Sequence, residues 1–465
     1  MRILIAAETY YPLTAGSAYA TYRLANGMAS RGHQVFVVSS GNTLRSKKTK
    51  EGKVEVFRVS SIPILFHSGY RVAPFAYQSA DDIIKKVKPD IVHVQDHFFV
   101  CWAIINEARK MSIPIVGTNH FHPDNLLHYL KLPENMMDGL RKLAWKHFNA
   151  IYGRLDLITT PSETARKIMK ESGTKGEVRV ISNGIDLETF KPRPKEEVEE
   201  VSKKYNLGDG KKILFVGRLE KEKNIDILIR ALAIVIKKIP SAKLFIAGFG
   251  SQEEALKELA KDLKIEGSVV FLGKVSDEDL RKIYGAVDVF ATASTVELQG
   301  LVGMEAMASG RPIVSSVGMA LKELTRDGVN GYIFPNGNYK AAAVKLVNIL
   351  SDDKLAQKMG AKSLELIQEH AFSKSLDAYE DAYKQAILKH KTKKKPEKSR
   401  VQKVISTSVA TALSIIVFVA SVSATRAFYE RKPQIAHVYN EIKSEIRIKT
   451  NEIKSKTHYV IDKIK

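Results

Sequence analysis

VDVFATASTVELQGLVGMEAMASGRPIVSS, residues 287–316, is the stretch on which the fold turns. Its two ends, VDVFATA (287–293) and RPIVSS (311–316), are short apolar runs suited to buried strands, and the segment from Gln299-Gly300-Leu301 onward reads as a helix between them. Strand, helix and second strand of the same character make a βαβ unit, which implies a parallel sheet. Upstream, KKILFVG (211–217), AKLFIAG (242–248) and SVVFLG (268–273) are further strands of that kind. An independent series opens the chain: RILIAAE (2–8), QVFVVS (34–39), DIVHV (90–94), PIVGT (114–118) and DLITT (156–160).

The fold class expected is therefore α/β, with two doubly wound Rossmann-like domains over residues 1–190 and 205–388 facing a cleft. KPRPKEEVEEVSKK (191–204) joins them, and its two prolines and alternating charges mark a solvated connection. The cleft is the default ligand site.

Composition narrows the function. In 465 residues, 44% hydrophobic and 27% charged, there is ample core and no room for chain-long disorder. A single cysteine, Cys101, excludes an internal disulfide and a Cys-based metal cluster. The net charge of +22 admits nucleic acid, an anionic membrane or phosphorylated substrates, and location separates them. Residues 389–403 hold eight Lys/Arg against one Glu, and residues 426–465 ten against five acidic residues. Between them, VISTSVATALSIIVFVASVSAT (404–425) is 22 residues without a charge, long enough for a hydrocarbon core of about 30 Å.

The sequence thus predicts a basic linker (389–403), a transmembrane helix (404–425) and an amphipathic basic tail (426–465), the tail striped by Ile435, Val438, Ile442, Ile446, Ile453, Val460 and Ile464. The lysine and arginine excess before the run predicts a single-pass protein of the cell membrane with its catalytic domains cytoplasmic. A buried helix docked on the globular part is the other reading of the same run. No nucleic-acid partner is expected, because the charge sits beside the uncharged run.

Parallel sheets bind ligands beyond the carboxyl ends of their strands, so those turns come first. GFGS (248–251) lacks the third glycine of a dinucleotide fingerprint and no Walker A sequence occurs, so a nicotinamide enzyme is not supported. Gly16-Ser17 opens a helix of about 14 residues, either as a plain cap or with its amides facing a phosphate. In GRLEKEKN (217–224), Arg218 and Lys223 flank a strand-to-helix turn, either as a solvated charge run or as two cations facing one diphosphate. Glu297 and Glu305 bracket the helix start, and eight helical residues span about 12 Å, so the two carboxylates can contact opposite ends of an extended nucleotide sugar. The amides of Gly300 and Leu301 add an anion site at that helix N-terminus.

These motifs resemble the retaining family-four glycosyltransferases of the two-domain GT-B fold. The resemblance rests on Gly217-Arg218-Leu219 with Lys223, Glu297-x7-Glu305, EAMASGRP (305–312) and DGVNG (327–331). In the first half it rests on Tyr11-Pro12, Gly16, Arg31-Gly32-His33, Pro161-Ser162-Glu163 and NGID (183–186) with Phe190 and Pro192. TNHFHPDNLL (118–127) and Glu297-Leu298-Gln299-Gly300 look most like the diacylglycerol glucosyltransferases and phosphatidylinositol mannosyltransferases. Two positions depart from the family pattern: Ala15-Gly16 replaces a paired glycine, and Leu298 a threonine frequent in the lipid glucosyltransferases.

What the resemblance implies is a membrane-associated hexosyltransferase that moves a hexose from a UDP or GDP sugar to a lipid acceptor at an anionic membrane surface. A non-lipid glycan acceptor, a sugar-nucleotide epimerase of the same fold and a non-catalytic scaffold are the alternatives. It further implies His120, Arg218, Lys223 and Glu297 as catalytic residues. Gly16, Lys274, Val275, Gly300, Leu301 and Glu305 join the last three in binding the donor. Arg218 and Lys223 hold the diphosphate, Glu305 the ribose, Glu297 the donor sugar, and Lys274-Val275 the base. No metal and no cofactor are expected, since the two cations supply the charge stabilisation, and the retaining step is expected to be front-face attack. His120 taken alone is as readily a structural histidine; the resemblance assigns it a place beside the reacting sugar. PENMMDGLRKLAWKHFNAIY (133–152) carries a helical stripe at 137, 140, 144, 148 and 151 that fits a core-packed helix or one lying on a membrane surface.

Overall fold

The computed structural model describes residues 1–12, 16–43, 46–63, 71–73, 76–127 and 133–392. The first domain is built on strands β1 (Arg2–Ala7), β2 (Gln34–Ser40), β3 (Lys47–Glu51) and β4 (Val54–Val59), a small ribbon of β5 (Ile62–Pro63) and β6 (Arg71–Val72), then β7 (Ile91–Val94), β8 (Ile115–Thr118), β9 (Leu157–Thr160) and β10 (Val178–Val180). The second has β11 (Lys212–Val216), β12 (Lys243–Ala247), β13 (Val269–Gly273), β14 (Val289–Thr292), β15 (Ile313–Ser316) and β16 (Gly331–Phe334). All ten strands expected from the sequence are present, each within two residues at either end.

The main sheets run β10-β9-β8-β7-β1-β2-β4-β3 and β13-β12-β11-β14-β15-β16. All pairings are parallel except β3 against β4. The order reverses between β1 and β7 in the first sheet and between β11 and β14 in the second. At such a reversal the connecting helices leave on opposite faces, which opens a crevice beyond the strand ends. The two crevices face each other, and that arrangement positions the site.

The chain departs from the expected boundaries twice. The join is not only a solvated connection: Lys195–Lys204 is a helix whose Val201 is buried and whose Lys204 Nζ lies 2.8 Å from Asp279. Nor does the second domain keep everything to residue 388. The helix Phe372–Thr392 returns to the first domain, where Leu376, Tyr379, Ala382, Tyr383 and Ala386 pack with Ile3, Ile5, Val116 and Leu157. Its end takes the first four residues of the expected basic linker, held by Lys389 on Glu177 (2.5 Å) and His390 on Asp156 (3.0 Å).

The expected transmembrane run 404–425, the rest of the linker and the tail 426–465 lie outside the described residues. Among the described residues no helix is long and apolar enough to cross a membrane. This corrects the single-pass cell-membrane localisation with cytoplasmic catalytic domains expected from the sequence. The two longest described helices, Glu134–Tyr152 and Phe372–Thr392, are charged on one side and bury their apolar stripe in the first domain. In the first of these, Trp145, Phe148, Ile151 and Tyr152 are buried, and Arg141 is paired with Asp124, Glu134 and Asp138. Core packing is therefore the reading this helix takes.

Candidate active site

A cleft of about 1140 Å³ lies between the domains, and every site residue expected from the sequence lines it: Gly16, His120, Arg218, Lys223, Lys274, Val275, Glu297, Gly300, Leu301 and Glu305.

The second-domain wall is made by the turns after β11, β12 and β14. Gly217 and Gly248 end β11 and β12 back to back. A Cβ on Gly248 would sit 1.8 Å from the Gly217 carbonyl oxygen, and its φ of +147° already lies where side chains are rare. That approach turns GRLEKEK into the cleft. Asn224 then stitches the turn to its neighbour, donating from Nδ2 to the Ala293 carbonyl (3.2 Å) and to Thr295 Oγ1 (3.4 Å). Arg218 donates to Glu222 (2.8 Å), while Lys223 is paired with Glu297 across the two turns. Each of the two cations thus stands in the cleft beside a carboxylate, held in one orientation.

Gly300 is the left-handed N-cap, φ +83°, of the helix Leu301–Ala308, so the first amides of that helix open toward the same wall. Glu305 lies one turn further in and is 8% exposed. Tyr284 donates to one of its oxygens (3.1 Å), and Arg23, from helix Gly16–Ser30 of the other domain, to the second (3.3 Å). Burial raises the Glu305 pKa, while Arg23 and Tyr284 lower it. Lys274 and Val275 follow β13 at the far end of this wall. The sequence's one Asp-x-Asp triplet, 277–279, begins the next helix. Asp279 is taken by Lys204, Tyr205 and Ser276, and Asp277 accepts from Tyr19 of the first domain.

The first-domain wall comes from the turns after β1, β7 and β8. Gly16 faces the second domain, and a Cβ there would meet only Leu301 Cδ1 at 3.8 Å, an ordinary contact. His120 follows β8, and its Nε2 lies 2.7 Å from Gln95 Oε1. An amide oxygen only accepts, so Nε2 carries the proton and Nδ1 is the bare nitrogen. Burial brings its pKa down to about 4, so the ring is neutral near pH 7. Behind Gln95, His93 joins Thr118 (2.7 Å) to Tyr383 (2.8 Å). Glu8, at the end of β1, accepts from Ser40 Oγ and from the amides of Ala73 and Val100. Burial, reinforced by Asp96, pushes its pKa to about 7.

Arg23, Gln95, Tyr284 and Glu222 went unread in the sequence. Arg23 stands two helical turns after Gly16 on the same face, and Gln95 directly follows a strand whose carboxyl end was the place to look. Tyr284 and Glu222 carry no local signal.

Residues 14–189 match the Glycosyltransferase Family 4 model and residues 197–365 the model for glycosyl transferases group 1. The chain is 30% identical over 385 residues, 82% of its length and 86% of the relative's, to an alpha-monoglucosyldiacylglycerol synthase of Streptococcus pneumoniae. The chain belongs to the family-four glycosyltransferases. A second alpha-monoglucosyldiacylglycerol synthase, from Acholeplasma laidlawii, is 29% identical and covers 72% of this chain and 85% of its own. The glycosyltransferase fold is shared with a sucrose-phosphate synthase of Thermosynechococcus elongatus (TM-score 0.68, 18% identity, 83% of this chain and all of that one). Anabaena HepE, solved with UDP and glucose, matches over the same shares of the two chains (TM-score 0.66, 17% identity). This glycosyltransferase is a hexosyltransferase of GT-B architecture, and the cleft just described lies where its two domains meet.

Proposed function

We propose that the enzyme transfers a hexose from a UDP or GDP sugar to the free hydroxyl of a glycerolipid, of the diacylglycerol or phosphatidylinositol type, with retention of anomeric configuration and without a metal. The observation that carries the reading is the contrast between the two walls. One holds Arg218, Lys223 and the amide end of helix Leu301–Ala308, while the other presents Phe98, Phe99, Phe121 and Phe148 beside His120. The two relatives whose names specify monoglucosyldiacylglycerol support the same acceptor class. Such an acceptor is presented in a micelle or bilayer, and the net charge of +22 favours an anionic one.

In this reading the C1–oxygen bond of the donor breaks, and the acceptor hydroxyl attacks C1 from the same face. Its proton passes to the departing phosphate oxygen, giving the glycoside and the nucleoside diphosphate. Negative charge grows on the diphosphate as the bond lengthens, and Arg218, Lys223 and the helix amides are fixed where it grows. Glu297, oriented by Lys223, accepts from the sugar hydroxyls and Glu305 from the ribose; Lys274 and Val275 contact the base. Gly16 lets the leaving phosphate approach helix Gly16–Ser30. Neutral His120 presents bare Nδ1 to the reacting sugar as a hydrogen-bond acceptor.

The test is a panel of UDP and GDP sugars with diacylglycerol or phosphatidylinositol in anionic micelles, with and without excess chelator, read by mass analysis and by the anomeric coupling of the product. An α-glycosyl lipid formed equally with chelator is the expected result. Inverted configuration, loss with chelator restored by magnesium, or transfer only to free sugars would each overturn the corresponding part.

A further inference from the structure

Between β7 and the helix Phe99–Lys110, the chain runs Gln95-Asp96-His97-Phe98 along the edge of the cleft. His97 is 2% exposed, and neither ring nitrogen has a hydrogen-bond partner. Buried polar atoms in folded proteins nearly always have one. The ring is packed among the phenyl groups of Phe148, Phe98 and Phe121, with centroids 3.6, 4.6 and 5.2 Å away. It also borders the cleft, with its nitrogens beneath the surface, so a ligand that parts the surrounding phenyl groups can supply what the protein does not. Burial and the neighbouring His147 hold its pKa well below the usual histidine value. The ring is therefore an uncharged group with one N–H donor and one bare nitrogen. A phosphate or carboxylate gains little from it. The group that suits an aromatic pocket with one neutral donor is an apolar chain interrupted by an uncharged acceptor oxygen.

We propose that His97 donates its ring N–H to an acyl ester carbonyl of the glycerolipid acceptor, with the acyl chain lying along Phe98, Phe121 and Phe148, and so selects ester-linked lipids. This rests on the lipid-acceptor reading above and extends it to the linkage of the chains. The placement suits the chemistry: Phe121 follows His120 in sequence, and in a diacylglycerol the nearest ester is only a few bonds from the attacking hydroxyl.

The experiment compares kcat/KM of the full-length enzyme for 1,2-diacylglycerol and for the 1,2-dialkyl ether of matched chain length, which lacks the carbonyl, in the same micelles. The expected preference for the ester is about tenfold, the worth of roughly one hydrogen bond. In His97→Phe, which keeps the stacking and removes the donor, the ratio falls to about one while the melting temperature stays near the parent's. Equal use of ester and ether by the unaltered enzyme overturns the inference even where the variant does not fold, as does an unchanged ratio in a folded variant. Turnover of donor onto neither lipid, with transfer to a water-soluble acceptor, instead brings down the lipid reading and this inference with it.

Discussion

Arg218 and Lys223 differ from Glu305 in what their contacts are expected to do along the reaction. In the proposed mechanism the cations face charge that develops only as the donor bond breaks, so Arg218→Ala and Lys223→Ala should each lower kcat by about 10²–10³. Glu305→Gln should chiefly raise the donor KM, because ribose hydroxyls change little between ground and transition states. Steady-state kinetics on folded variants separates the two, and unchanged kcat in both cation variants would exclude the diphosphate clamp. Glu8 gives a stability prediction. Its folded pKa of about 7 exceeds the ordinary 4.5, so between those values the native state binds more protons than the unfolded one. Stability from this group is then fully present below pH 4.5 and lost as pH rises through about 7, amounting to ~3 kcal/mol at most. Urea denaturation at pH 5 and pH 8 should show that decline in the parent and a flatter profile in Glu8→Gln; identical slopes would refute it.

Among the elements, the strands legible in the sequence were those with short apolar runs, nine of them inside a sheet and one, the half-buried β13, at an edge. Those missed are edge or short elements, except β4, whose VEVFRV is six residues long and lies inside the sheet between β2 and β3 but alternates apolar with charged residues. KKTKE of β3 has no apolar residue, β10 has only three residues, and β16 follows a glycine-rich turn. The helix Phe372–Thr392 shows the opposite limit. Its stripe at 376, 379, 383 and 386 reads as helical, yet nothing local says which domain it covers. Tyr383 is fully buried there, with its hydroxyl on His93. Tyr383→Ala should cost about 3–5 kcal/mol by leaving a cavity, whereas Tyr383→Phe should cost only about 1 kcal/mol for one hydrogen bond. Chemical denaturation measures both. A loss below about 1 kcal/mol in the alanine variant would show that the helix does not hold the first domain together.

For the whole molecule, several groups among the described residues carry the relation between the domains near the cleft. Arg23 on Glu305 and Tyr19 on Asp277 cross it from one helix, and Gln299 binds Ser182 Oγ and the Asn183 amide. The Arg23 guanidinium also lies 5.7 Å over the rings of Tyr19 and Phe190, so its removal loses packing as well as charge. Arg23→Ala should let the domains part, raising the radius of gyration in solution scattering and the donor KM together. An unchanged scattering profile would mean that the remaining contacts hold the closure unaided.

The sequence by itself determined the two parallel sheets and the turns at the carboxyl ends of their strands, and the ten residues it singled out there all line the cleft. Buried strands and glycine turns are local: a run of apolar residues, or a backbone that must pass within contact of another, leaves its mark where it occurs. Only the tertiary structure decided that Arg23 reaches Glu305, that Gln95 sets the tautomer of His120, that His97 is left without a partner, and that the last described helix belongs to the first domain. Each of these joins positions far apart along the chain or depends on what burial excludes, and no window of sequence contains both partners.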